Sequence, residues 1–222
     1  MMLNKVLIKE IFESIQGEGP YIGVNQLFIR FSSCNLHCEY CDTDFKTDLK
    51  EYNIEDLLCE INKYENIHSV SLTGGEPLIE SDFLYELLKN VNKKIYLETN
   101  GTLYENLKKV IDYIDIVSMD IKLPSTTKMK PHWEEHAKFI EIAKEKELFL
   151  KVVFDTNITE DEINKTVSLA KKYNILIVLQ PKMDGEYLKL TSEFINATYY
   201  KFLNEYQNIR LIPQVHKFLN VR

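Results

Sequence analysis

Residues 27–43 read LFIRFSSCNLHCEYCDT. The stretch opens as a β-rich apolar run, Leu27 to Phe31, then breaks into a loop that holds Cys34, Cys38 and Cys41. The same event recurs downstream: SVSLT (69–73) runs into TGGEP, KIYLET (94–99) into TNG, and ILIVLQ (175–180) into QPK. DIVSM (115–119), LFLKVVF (148–154) and IRLIP (209–213) complete the strand candidates. Between the strands, Ile54, Leu57, Leu58, Ile61 and Tyr64 repeat at helical spacing, as do Leu84, Leu87, Leu88 and Val91. Thr159 and Glu162 form a capping-box pattern that predicts a helix through about Tyr173. Alternating strands and helices imply an α/β fold of parallel βα units, either a doubly wound sheet or a partial (β/α) barrel. Either architecture puts its chemistry at the C-terminal strand ends, which is where the cysteines, TGGEP, TNG and QPK lie.

The chain has 222 residues, enough for one substantial core, and a single domain over 1–222 is expected. Only 7 Gly and 6 Pro are present, with no linker-like tract. Lys+Arg number 27 and Asp+Glu 34, a net charge of 27 − 34 = −7, which disfavours broad binding to a phosphate backbone. No apolar run approaches the roughly 20 residues of a membrane span. Lys9 and Glu10 interrupt the apolar start that a signal peptide needs. These features predict a cytoplasmic protein with neither nucleic acid nor membrane as partner. In that compartment clustered cysteines point to metal or redox chemistry rather than disulfides.

Three thiols within eight residues admit several readings. Buried free cysteines fill cores, but three on one loop is an unusual way to do so. A structural zinc ion wants four ligands, often from two knuckles, and no second knuckle exists. Cys59, the remaining cysteine, falls off the apolar stripe of its predicted helix, and His37 lies inside the loop, where joint ligation is strained. An iron–sulfur cubane normally takes one thiolate per iron. Three thiolates then leave one iron open to a ligand that is not protein.

CxxxCxxC with Tyr40 between its last two cysteines resembles the signature of the radical S-adenosylmethionine (SAM) superfamily, and Thr73-Gly74-Gly75-Glu76-Pro77 resembles its GGE loop. The resemblance implies a truncated (β/α) barrel with a 4Fe–4S cluster on Cys34, Cys38 and Cys41. The open iron chelates SAM, and one electron from the cluster releases a 5′-deoxyadenosyl radical. It also implies SAM contacts from Tyr40, Cys41, Asp42, Gly74, Gly75, Ser118, Asp120, Lys122 and Gln180. Glu76 is expected to accept from the methionyl ammonium.

Phe12-Glu13-Ser14-Ile15-Gln16-Gly17-Glu18-Gly19-Pro20 reads FESIQGEGP. With Arg30 and Cys41-Asp42-Thr43 it resembles the 7-carboxy-7-deazaguanine synthase family, and the likeness continues to Gln214-Val215-His216-Lys217. That family implies a SAM- and Mg2+-dependent radical ring contraction of 6-carboxy-5,6,7,8-tetrahydropterin. Hydrogen leaves C6, ammonia is lost, and 7-carboxy-7-deazaguanine forms on the path to queuosine or archaeosine. Implied substrate contacts are Ile15, Gln16, Gly17, Glu18, Arg30, Thr73, His216 and the terminal carboxylate of Arg222; Thr43 is the implied Mg2+ ligand. A homodimer and a flavodoxin or ferredoxin-like reductant are implied as well. Phe218, Leu219 and Val221 are apolar enough to dock the tail. The alternative within the superfamily is an activating enzyme that installs a glycyl radical on a partner protein. It shares the cysteine loop, the GGE loop and an Asp-x-Lys element like Asp120-Ile121-Lys122, but FESIQGEGP and the lack of further cysteine clusters argue against it.

Overall fold

The computed structural model describes residues 5–39, 41 and 47–221. In chain order the strands are β1 (Lys5–Ile15), β2 (Asn25–Phe31), β3 (Lys50–Asn53), β4 (Ser69–Gly74), β5 (Ile95–Thr99), β6 (Ile116–Asp120), β7 (Glu147–Phe154), β8 (Leu176–Pro181), β9 (Met183–Asp184), β10 (Tyr187–Leu188) and β11 (Ile209–Leu211). The helices are α1 (Ile54–Asn62), α2 (Ser81–Leu88), α3 (Tyr104–Val110), α4 (Pro124–Thr127), α5 (Trp133–Ala143), α6 (Glu160–Lys171), α7 (Ser192–Glu205) and α8 (Val215–Leu219). Nine strands form one sheet in the order β11-β8-β7-β6-β5-β4-β2-β1-β3, and β9 and β10 make a separate hairpin. From β2 to β11 every neighbouring pair is parallel, whereas β1 runs antiparallel to both β2 and β3. The sheet does not close, so the architecture is a partial barrel.

Strand alternation sorts side chains to two faces. Leu27, Val70, Leu72, Ile95, Leu97, Val117, Met119, Leu150, Val152, Ile177 and Leu179 join the main core, which also takes Leu57, Leu84, Leu107, Phe139, Ile163 and Phe202 from the helices. Residues between them face the other way. Near the strand starts this inner face is apolar, built from Tyr96, Ile116, Phe149 and Val178 with Tyr21, Leu176 and Ile212 packed on them. Near the strand ends it turns polar, with Arg30, Thr73, Glu98, Ser118, Asp120, Lys151 and Gln180. The apolar layer closes the floor; the polar layer makes the site.

All seven strand candidates form, and α6 carries the full capping box at Thr159 and Glu162. That helix ends at Lys171 rather than near Tyr173 because Asn174 turns left-handed at φ 53°, and the Ile175 N–H then donates to the Ala170 carbonyl. Strands β1 and β3 and the β9–β10 hairpin go beyond the sequence reading. β1 mixes Lys and Glu into its apolar residues, and β3 is four residues with no fully buried side chain. The tail also differs from expectation. It docks through backbone, Val215 N–H donating to the Gly17 carbonyl at 2.8 Å, while Phe218 and Leu219 stay 50% and 56% exposed.

Candidate active site

The C-terminal strand ends surround a cavity of about 840 Å³. The Cys34, Cys38 and Cys41 side chains line one wall. Their loop leaves β2 at Ser32, whose N–H and hydroxyl both donate to the Leu7 carbonyl. Leu36 is buried beneath it, its N–H directed at the Cys34 sulfur (3.4 Å), and Cys41 N–H donates to the Cys38 carbonyl. Burial pushes the Cys34 and Cys38 thiols up; the Lys122 ammonium works against it at both. Among the described residues no three His, Cys, Asp or Glu side chains converge as they would on a single metal ion. A cluster that binds one thiolate at each iron does not need that convergence, and three cysteines facing one cavity fit it.

TGGEP lies directly under this loop. Gly75 N–H donates to the Phe31 carbonyl and Glu76 N–H to the Ser33 carbonyl at 2.7 Å. A Cβ on Gly75 would sit 1.9 Å from the Ser33 oxygen; on Gly74, held at φ +114°, it would sit 2.4 Å from the Phe31 oxygen. The two glycines therefore let the cysteine loop press against β4. Glu76 departs from its expected role. It is fully buried, and its carboxylate accepts from Asn100 N–H (2.7 Å), the Thr99 hydroxyl (2.9 Å) and Leu78 N–H (3.2 Å). Burial pushes its carboxyl up to about 7 against those donors. Glu76 thus joins the TGGEP and TNG loops instead of presenting an acceptor to the cavity.

The cavity also holds a line of charge. Lys151 Nζ lies 2.6 Å from Glu18 and 3.6 Å from Asp120, and Lys122 Nζ lies 2.9 Å from Asp120 Oδ2. Gln214 Nε2 donates to the other Glu18 oxygen at 2.7 Å. Burial alone would raise the Glu18 carboxyl, yet Lys151 and the Gln214 amide hold it at about 2. Burial likewise opposes the Lys151 charge, while Glu18, Asp120 and Glu98 push its pKa well above the ordinary lysine value. Asp120 Oδ1 and Gln180 Oε1 are buried with no hydrogen-bond partner among the described residues. Ser118 lines the same wall.

The FESIQGEGP segment shapes the third side. Gln16 is 3% exposed, and its amide is committed internally. Nε2 donates to Gln26 (2.9 Å) and Glu98 (3.0 Å), and Oε1 accepts from Glu18 N–H. Its expected donor–acceptor edge toward a ligand is used instead to hold the loop. The carboxylate that faces the cavity there is Glu98, which also accepts from Thr73 at 3.1 Å. Arg30 lines the cavity with Nε 2.8 Å from Glu10 and its guanidinium over the Phe12 ring, which stacks on Phe28. Ile15 and Gly17 complete this side, and His216 on α8 packs so closely on Gly17 that a Cβ there would lie 2.4 Å from the imidazole Nδ1.

Every described residue expected to contact cluster, SAM or substrate lines this one cavity except Glu76. Cys59 is exposed on α1, away from it. Tyr40, Asp42, Thr43 and Arg222 lie outside the described residues. Glu98, Lys151 and Gln214 also line the cavity, and the sequence reading gave none of them a role. Two of them had a signal: a lysine inside LFLKVVF and a glutamate inside KIYLET are charges in strands otherwise fit for burial on both faces.

Comparison with known proteins gives the chain a family. The profile described as the radical SAM superfamily matches residues 28–170. A 7-carboxy-7-deazaguanine synthase of Geobacter sulfurreducens is 34% identical, the alignment covering 96% of each chain. Its counterpart in Archaeoglobus fulgidus is 35% identical over 96% of this chain and 97% of that one. The crystal structure of QueE from Escherichia coli shares the fold, with a TM-score of 0.62 and 23% identity over 96% of this chain and 95% of that one. The chain therefore belongs to the 7-carboxy-7-deazaguanine synthase family of radical SAM enzymes.

Proposed function

We propose that this protein converts 6-carboxy-5,6,7,8-tetrahydropterin to 7-carboxy-7-deazaguanine with loss of ammonia, in the route to queuosine or archaeosine. The supporting observation is a cavity of about 840 Å³ lined by the three cysteines together with Arg30, Glu98 and His216. That volume is within the usual range for small-molecule sites. Cys34, Cys38 and Cys41 would hold a 4Fe–4S cluster, and Thr43 an Mg2+ ion. With SAM bound at such a cluster, the chemistry supplied would be a 5′-deoxyadenosyl radical; the electron would come from a flavodoxin or ferredoxin-like protein, and the working unit would be a homodimer.

The chain's own residues bind and orient. Asp120 Oδ1 and Gln180 Oε1, buried without partners among the described residues, suit the hydroxyl and amino donors of SAM, beside Ser118 and Lys122. Gly74 and Gly75 offer backbone at close range, with Tyr40, Cys41 and Asp42 adjacent in sequence. Arg30 receives the substrate carboxylate, Glu98 and the main chain at Ile15 and Gly17 face the amino-pyrimidine edge, and Thr73, His216 and the Arg222 carboxylate complete the pocket. Glu18 acts indirectly, fixing the QGEG loop to Lys151, and Gln16 fixes it to Glu98.

Arg30 provides the test of substrate class. With SAM present under anaerobic conditions, wild-type protein should bind 6-carboxytetrahydropterin at least tenfold more tightly than tetrahydropterin lacking the carboxylate. A charge-assisted hydrogen bond contributes about 1.5–3 kcal/mol. In Arg30→Ala that preference should vanish, with the affinity for the decarboxylated pterin little changed. Equal affinities for the two pterins in the wild-type protein would contradict the reading.

A further inference from the structure

We propose that Asn100 is a positioning residue that fixes the cysteine loop from behind, through a closed ring of hydrogen bonds with Asn35 and Thr102. Asn35 lies between Cys34 and Cys38 and is exposed, so nothing in its burial holds it in place. Its position is set by polar contacts. Asn100 Nδ2 donates to Asn35 Oδ1 (2.9 Å), Asn35 Nδ2 donates to the Thr102 hydroxyl (2.9 Å), and that hydroxyl donates to Asn100 Oδ1 (2.6 Å). Each member donates once and accepts once around the ring, so the three bonds polarise one another and each amide has only one orientation that satisfies them all.

Asn100 is itself fixed on every remaining polar group. Its N–H donates to Glu76, its Oδ1 accepts a second bond from Thr102 N–H, and its carbonyl lies 3.1 Å from His136 Nε2. A carbonyl can only accept, so His136 carries its proton on Nε2. Burial lowers the His136 pKa to about 4, keeping the ring neutral. Asn100 is 4% exposed and His136 fully buried, so the anchor sits in the core and only the last link reaches the loop. Gly101 admits this approach at φ +69°, where a Cβ would lie 2.6 Å from Met119. The ring couples α5, TNG and TGGEP to the segment that carries two of the three thiols. It sets where those thiols point before any metal arrives.

This inference rests on the cluster reading only for its consequence; the placement of the loop can be measured without iron. In cluster-free full-length protein, the alkylation rates of Cys34 and Cys38 by iodoacetamide are compared with that of Cys59, an exposed internal reference on α1. Asn100→Ala removes one of the two bonds that hold the loop, at a cost of about 1 kcal/mol, and should raise the Cys34 and Cys38 rates about fivefold relative to Cys59. Asn35→Ala, at the exposed end of the ring, removes both of the loop's bonds and should raise the rates at least as much, which covers the case in which Asn100→Ala fails to fold. The double variant should be no faster than Asn35→Ala alone. After reconstitution, the electron paramagnetic resonance spectrum of the reduced cluster should differ from wild type in both variants, which a general loss of stability would not produce. Unchanged alkylation ratios in Asn35→Ala, or a double variant whose rates multiply those of the singles, would overturn the proposal. Wild-type protein that takes up no iron would instead overturn the cluster reading and leave this one standing.

Discussion

Cys34→Ala is expected to lose the cluster altogether. After anaerobic reconstitution, iron should fall from about four per chain to background, and reductive cleavage of SAM should fall with it. Each of Cys34, Cys38 and Cys41 lines the cavity wall, and each takes a different iron in the proposed site, so no neighbour substitutes for a lost thiolate. His37, the nearest alternative ligand in sequence, is exposed. Cys59→Ala should keep both iron and SAM cleavage, because Cys59 is exposed on α1 and takes no part in the cavity. A Cys59 variant without iron beside a Cys34 variant that retains it would refute the assignment.

Lys151→Met is expected to be the most damaging change that leaves the cysteines intact. The Lys151 and Glu18 side chains are only 12% and 17% exposed, and Lys151 also lies beside Asp120. Removing one partner of a buried pair leaves an uncompensated charge and costs about 3–5 kcal/mol. In a chain of this size that lowers the melting temperature by roughly 10 °C. Adding Glu18→Gln should recover much of the loss, since it removes the stranded carboxylate. The pH dependence gives an independent reading. Glu18 is held at about 2, below the ordinary carboxylate value of 4.5. A depressed carboxyl stabilises the fold fully above its unfolded pKa and loses that contribution as the pH drops through its folded one. Wild-type stability from this pair should therefore decline between about pH 4.5 and 2, and Lys151→Met should lack that decline. Equal acid profiles in the two proteins would show that the pair does not hold Glu18 ionised.

The fold was legible because parallel strands buried on both faces leave long apolar runs, and four of those runs end in a motif. LFIRF, SVSLT and ILIVLQ became β2, β4 and β8 with boundaries shifted by a residue or two. β1 was harder to see: as the antiparallel strand between β2 and β3 it keeps polar residues among its apolar ones. The site was legible where a residue type has few alternative uses, as with clustered cysteines or paired glycines. It was illegible where function depends on who bonds whom. Gln16 and Glu76 are polar residues in marked motifs, and sequence alone cannot tell that their donors and acceptors are taken up by Glu98, Gln26, Asn100 and Thr99. Lys151 comes to Glu18 from 133 residues away, a pairing that no local pattern encodes.

The most direct measurement is turnover. Reconstituted wild-type protein is incubated anaerobically with SAM, a reductant, Mg2+ and 6-carboxy-5,6,7,8-tetrahydropterin, and the products are followed by mass spectrometry. The proposed reaction requires 7-carboxy-7-deazaguanine and ammonia in equal amounts. Cluster-loaded protein that cleaves SAM but leaves the pterin intact, and instead forms a glycyl radical on a partner protein, would contradict it.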